Sequence, residues 1–157
     1  MTEPLDIHIR WLGPFQYRDA LYVIDSGLYF VFVGQHPIYL NGDVDVNRML
    51  SSHLSATHGA VHPTDMMGRE LLAYSQRYKQ RLTVKVGAVT RPQSPKTPIK
   101  NPDLLIDVVC AIASVFPLPC NPYERGPYRG LHPLRITNFG KHHPLAATIE
   151  VAPEEPS

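Results

Sequence analysis

Apolar and polar positions fall into short alternating runs near both ends of the chain and into helical stripes between them. "IHIRWLGPF" (7–15) alternates until Gly13-Pro14, which predicts a short strand closed by a turn. "DALYVID" (19–25) carries a weaker pattern, open between a strand and the start of a helix. "GLYFVFV" (27–33) is rich in aromatic and β-branched residues and predicts a strand. Gly34 provides a turn, and "PIYL" (37–40) predicts a second strand, begun by Pro37 where a missing N–H is tolerated.

Helical periodicity then takes over. Asp43 or Asp45 can cap a helix over 44–57 whose apolar stripe is Val46, Met49, Leu50, His53 and Leu54. "TDMMGRELLAYSQRY" predicts a second helix, 64–78, capped by Thr64. "RLTVKVGAV" (81–89) alternates as a strand, and "RPQSPKTPIKNP" reads as a proline-rich loop. "NPDLLIDVVCAIASVF" predicts a third helix with Asn101 as cap, Pro102 in the first turn and Pro117 as terminator. Its polar face is Asp103, Asp107, Cys110 and Ser114, and the opposite face is aliphatic. "LRITNFG" and "AATIEV" predict two closing strands. Strands and helices mix without regular βαβ alternation, so the expected class is α+β with a small central mixed sheet flanked by helices. A single domain is expected over 1–150, with 151–157 as a flexible tail.

With 157 residues, 43% of them hydrophobic, the chain can bury a core of its own. No apolar run approaches the length of a membrane helix, and "MTEPLDIHIRWLG" lacks the apolar stretch of a signal peptide. The expectation is a cytoplasmic protein with no membrane partner, its two cysteines, Cys110 and Cys120, held as thiols. Net charge is only +1, yet the charges are segregated. Residues 1–68 hold seven acids and three Lys/Arg, whereas 77–100 hold seven Lys/Arg and no acid. That block (Arg77, Lys79, Arg81, Lys85, Arg91, Lys96 and Lys100) is the candidate surface for a polyanion such as DNA, and otherwise a solvated strand and loop.

Taken in order, these pieces resemble the GIY-YIG nuclease superfamily. Gly27-Leu28-Tyr29 looks like the first triplet of that family's hairpin, and Tyr39-Leu40-Asn41 like the second, with Asn in place of Gly. "DVDVNRMLSSH" looks like the helix that follows, with Arg48 and His53. "FPLPCN" resembles the Pro-rich stop and gives Asn121. "WLGPF" and "LRITNFGKHHPL" are similar to flanking segments of restriction-type and uncharacterised bacterial or phage members, so the resemblance covers most of the chain.

The resemblance implies metal-dependent hydrolysis of DNA phosphodiesters. Tyr29 or Tyr39, assisted by metal-bound water, would move the proton, Arg48 would meet the phosphate and His53 would serve as a further proton-transfer group. A Glu would hold one Mg²⁺ or Mn²⁺ ion. Counting back from Asn121, that Glu position is Val109, which offers no oxygen to a divalent ion. The Arg position one turn before the His is Met49, which leaves Arg48 rotated by roughly 100° toward the polar face. Asp107, two residues from Val109, points away from that face and into solvent. Glu70 lies on another helix.

Three readings follow. The first is a degenerate member, with no cofactor, that keeps nucleic-acid or partner binding. The second is a working Mg- or Mn-dependent endonuclease with a carboxylate from elsewhere. The third is a protein-interaction subunit of a phage or bacterial defence-related assembly. His53, His58 and His62 form a loose potential metal cluster, and "GKHHP" (140–144) a basic turn suited to phosphate.

Overall fold

A computed structural model describes residues 3–57, 66–121 and 126–154, and the side chains of all of these except 53–57. The fold is α+β, built on one mixed sheet. In chain order the elements are β1 (Leu5–Gln16), α1 (Tyr17–Ala20), β2 (Gly27–Val33), β3 (His36–Asp43), α2 (Val46–Thr57), α3 (Met66–Tyr78), β4 (Leu82–Arg91), β5 (Ser94–Pro98), α4 (Pro102–Val115), β6 (Leu134–Gly140) and β7 (Thr148–Val151). The strands lie in the order β3-β2-β4-β1-β6-β7, with β5 paired to β4, and every pairing is antiparallel except β1 with β6.

The sheet buries both faces, and β2 shows why. All seven of its residues are buried, and their alternation divides them between two cores. Leu28, Phe30 and Phe32 join Ile7, Ile9, Trp11, Leu40, Ile136 and the aliphatic face of α4. Tyr29, Val31 and Val33 join Tyr17, Tyr39, Val84 and Val86 beneath α2 and α3. A continuous apolar run is what a strand covered on both sides requires. Gly27, first residue of the tyrosine triplet, has φ of 150°, and a Cβ there would collide with the carbonyl oxygen of Gly87. This position must be glycine for β2 to pair closely with β4.

Two sequence expectations are corrected. Gly13-Pro14 does not end β1. The strand continues to Gln16 through a bulge between Leu12 and Phe15, where Gly13 takes φ of 117° and Pro14 needs no ladder N–H. The proline-rich segment after β4 is not all loop. Ser94–Pro98 forms β5, an exposed edge strand, where missing N–H groups cost little. The ambiguous 19–25 segment resolves into the end of a single helical turn, α1, and a connection to β2. The tyrosine hairpin forms as expected but sits at the sheet's edge, after β1, in a sheet larger than the pattern indicated.

Helix α4 matches its sequence signals. Asn101 accepts from the backbone N–H groups of Asp103 and Leu104 (3.0 and 3.3 Å), and the Phe116 N–H closes on the Ile112 carbonyl. The chain then runs along the outer edge of β3. The Cys120 N–H donates to Ile38 O (2.9 Å), and the Asn121 side chain both accepts from Leu40 N–H (2.8 Å) and donates to Leu40 O (2.7 Å). This pairing satisfies an edge that would otherwise be open. Thr64, expected to cap α3, lies outside the described residues. Val151 ends β7 and packs on the core, and Glu154 N–H donates to Tyr128 O.

Candidate functional site

The hairpin brings Tyr29 and Tyr39 together on one face. Tyr39 is paired opposite Val31, and its ring meets that of Tyr29 edge-on at 5.9 Å. Tyr29 is 0% exposed and Tyr39 6%. Asn41, the residue at the second triplet's glycine, does something glycine cannot. Its Nδ2 donates to the Tyr39 hydroxyl (2.8 Å), while its Oδ1 accepts from Gly42 N–H (2.8 Å). Burial pushes the Tyr29 phenol well above its ordinary range, with the neighbouring Tyr39 and Tyr17 adding to the rise and a hydrogen bond from Asn41 opposing it. Near neutral pH, Tyr29 is therefore a protonated phenol inside a core.

The pH consequence follows from linkage. The folded pKa lies above the unfolded value of about 10, so the folded state holds the proton that the unfolded chain releases. Tyr29 has no effect on stability below about pH 10 and destabilises the fold as pH rises beyond it. Absorbance at 295 nm during an alkaline titration is expected to show Tyr29 ionising only together with unfolding. A separate ionisation of this residue in the folded protein would contradict the burial.

The other residues named by the resemblance do not gather at the pair. Arg48 extends from the exposed side of α2, 69% exposed, and meets Asp43 Oδ2 at 3.7 Å. Met49 packs against the tyrosine core in its stead. The His53 side chain lies outside the described set, as do His58 and His62. Val109, 2% exposed, belongs to the opposite core with Leu28 and Leu40, its Cγ2 beside Gly42. The sheet itself therefore separates Val109 from Tyr29 and Tyr39. Asp107 is not simply in solvent: it is half-buried and accepts from Leu131 N–H (3.3 Å). Together with burial, its charge raises the Tyr128 phenol. Glu70 is exposed on α3. Asn121 is buried and engaged with the β3 backbone. Among the described residues, no cluster of three His, Cys, Asp or Glu is placed to hold a metal ion.

The basic block is divided by the fold. Lys85 emerges on the α4 side of the sheet, over the Phe32 ring (5.1 Å), and donates to His143 O (2.7 Å) in the "GKHHP" turn. Burial and the nearby Lys141 charge lower its pKa. Arg91 donates to Asp6 O (3.2 Å). Lys96 and Lys100 are exposed on β5 and just before α4. Arg77, Lys79 and Arg81 lie at the end of α3 and the entry to β4.

Near that entry is a cleft of about 480 Å³, lined by Gln16, Tyr17, Arg18, Asp19, Leu72, Ser75, Arg81 and Leu82. Tyr17 is 4% exposed and belongs to the core of the tyrosine pair. The sequence pattern did not single out Tyr17 or Arg18. Their one signal was the polar run "QYRD" following the Gly13-Pro14-Phe15 bulge. Asn41 was visible as a departure from the triplet, but its bond to Tyr39 was not.

No helix among the described residues is long and apolar enough to cross a membrane. Comparison with family models, curated proteins and solved structures finds no match for this chain.

Proposed function

We propose that the chain is a GIY-YIG-like domain that keeps the scaffold of a metal-dependent DNA endonuclease and binds nucleic acid without cleaving it. One observation carries this reading: the position that the resemblance assigns to the metal-holding Glu is Val109, packed in a core on the far side of the sheet from Tyr29 and Tyr39. The order of tyrosine hairpin, arginine-bearing helix, Pro-terminated helix and asparagine supports the kinship. The spread of Arg77, Lys79, Arg81, Lys85, Lys96 and Lys100 over several elements supports contact with an extended polyanion rather than with one small anion.

The test has two arms. Supercoiled plasmid incubated with Mg²⁺ or Mn²⁺ is expected to remain uncut, and nicking that vanishes in Tyr29→Phe would overturn the proposal. A gel shift with duplex DNA at low salt is expected, weakening steeply as salt rises because counterions are released on binding. Absence of any shift at low salt would instead favour a protein-interaction subunit.

A further inference from the structure

We propose that the cleft between α1, α3 and the start of β4 binds a phosphate carried by a nucleoside, either as a free mononucleotide or as the 5′-phosphorylated end of a strand. This deepens, and rests on, the nucleic-acid reading above. Arg18 and Arg81 come from segments far apart in sequence and line the same cleft. Among the described residues neither takes part in an ion pair; the arginines that do are Arg48, Arg129 and Arg135. Two arginines thus line one concave surface, and a phosphate is an anion whose oxygens accept paired guanidinium N–H donors. Asp19 lines the cleft as well and leaves it a net positive charge of one.

The remaining walls favour a nucleoside over bare phosphate. Leu72 and Leu82 offer aliphatic surface above the buried Tyr17, while the Gln16 amide, the Asp19 carboxylate and the lone pairs of the Ser75 hydroxyl offer partners for base edges and sugar hydroxyls. The volume falls within the range of roughly 300–1,000 Å³ typical of small-ligand sites.

The cleft is also held in shape before any ligand arrives. At the end of α3, Lys79 takes φ of 54°, Ser75 Oγ donates to Gln80 O (2.6 Å), and Gln80 N–H returns to Ser75 O (3.2 Å). Gly34 N–H donates to Arg81 O (3.2 Å), which fixes the backbone from which that side chain extends. A pre-set backbone lowers the ordering cost of binding. Through Tyr17 the cleft adjoins the core of the tyrosine pair, so an occupant would lie outside that core rather than within it.

Fluorescence anisotropy with a short single strand carrying 5′-phosphate and 3′-fluorescein tests this. Arg18→Gln and Arg81→Gln are each expected to weaken binding about tenfold, the loss of one charge-assisted contact. Arg81→Lys should weaken binding less than Arg81→Gln, since it keeps the charge but loses the paired N–H donors. Removing the 5′-phosphate should weaken binding to the native protein and change little in the double Gln variant. Competition by thymidine monophosphate, but not by thymidine, supports a site open to free nucleotides; competition by the phosphorylated strand alone supports a strand-end site. Native-like affinity in the double variant, or equal competition by thymidine, would overturn the proposal. Both arginines are exposed, so unchanged thermal melting checks the fold of the variants. If the double variant shifts duplex DNA normally and the native protein ignores the 5′-phosphate, the cleft fails alone. If mononucleotide binds and duplex does not, the polyanion reading fails alone.

Discussion

Val109→Glu is expected to break the fold rather than build a metal site. The side chain is 2% exposed, in a core with Leu28, Leu40, Leu105 and Ile112, and its Cγ2 lies beside Gly42. An ionised carboxylate there has neither a partner nor water, and the cost is about 4–5 kcal/mol, a large part of the stability of an average domain. The sign of the pH dependence follows from that desolvation. The folded-state pKa of the introduced Glu rises above its unfolded value of about 4.3, so the folded state binds more protons and stability falls as pH climbs through that value. Urea denaturation should therefore give a lower midpoint at pH 7 than at pH 4 for the variant relative to the native protein. Adding Mg²⁺ or Mn²⁺ should leave the midpoint where it is. A metal-dependent recovery of stability, or plasmid nicking by the variant, would mean that residue 109 reaches the tyrosines and that the sheet does not separate them.

Asn121→Ala is expected to be the second most damaging change, and for a reason unrelated to chemistry on DNA. Asn121 is 1% exposed and spans both the N–H and the C=O of Leu40, at 2.8 and 2.7 Å. Alanine leaves two buried backbone groups without partners at about 1–3 kcal/mol each, so a loss of roughly 3 kcal/mol is expected from urea denaturation. Arg48→Ala serves as contrast, because its pairing with Asp43 is exposed and long, and its midpoint should stay unchanged. If Asn121→Ala kept native stability, the edge of β3 would have to be satisfied by something other than this side chain.

These two residues show how differently the site and the scaffold are written in the sequence. A local pattern names residue types and order. The resemblance drew attention to Tyr29, Tyr39, Asn121 and the valine at 109 by motif and by counting along the chain. It could not say that residues 29 and 109 lie on opposite faces of one sheet. That depends on which strand α4 crosses and on the parity of β2, where Leu28 faces α4 and Tyr29 faces away. The same limit explains the basic block. As sequence it is one run, but β4 threads through the sheet, so Lys85 emerges beside the 140–144 turn while Arg81 enters a cleft with Arg18.

What the chain determined alone is the set of elements with strong local causes: β2 from its aromatic and β-branched run, α4 from its asparagine cap and flanking prolines, and the α+β class from their mixture. Each rests on backbone preference and periodicity, which act over a few residues. Tertiary structure decided the rest. It carried β1 through Gly13-Pro14, because pairing on both sides outweighs a local turn signal. It made β5 out of a proline-rich stretch, because an edge strand needs few of its own N–H groups. It also placed the Tyr39–Asn41 pair, neighbours on one face of β3 joined by a hydrogen bond to the Tyr39 hydroxyl, against the Tyr29 ring.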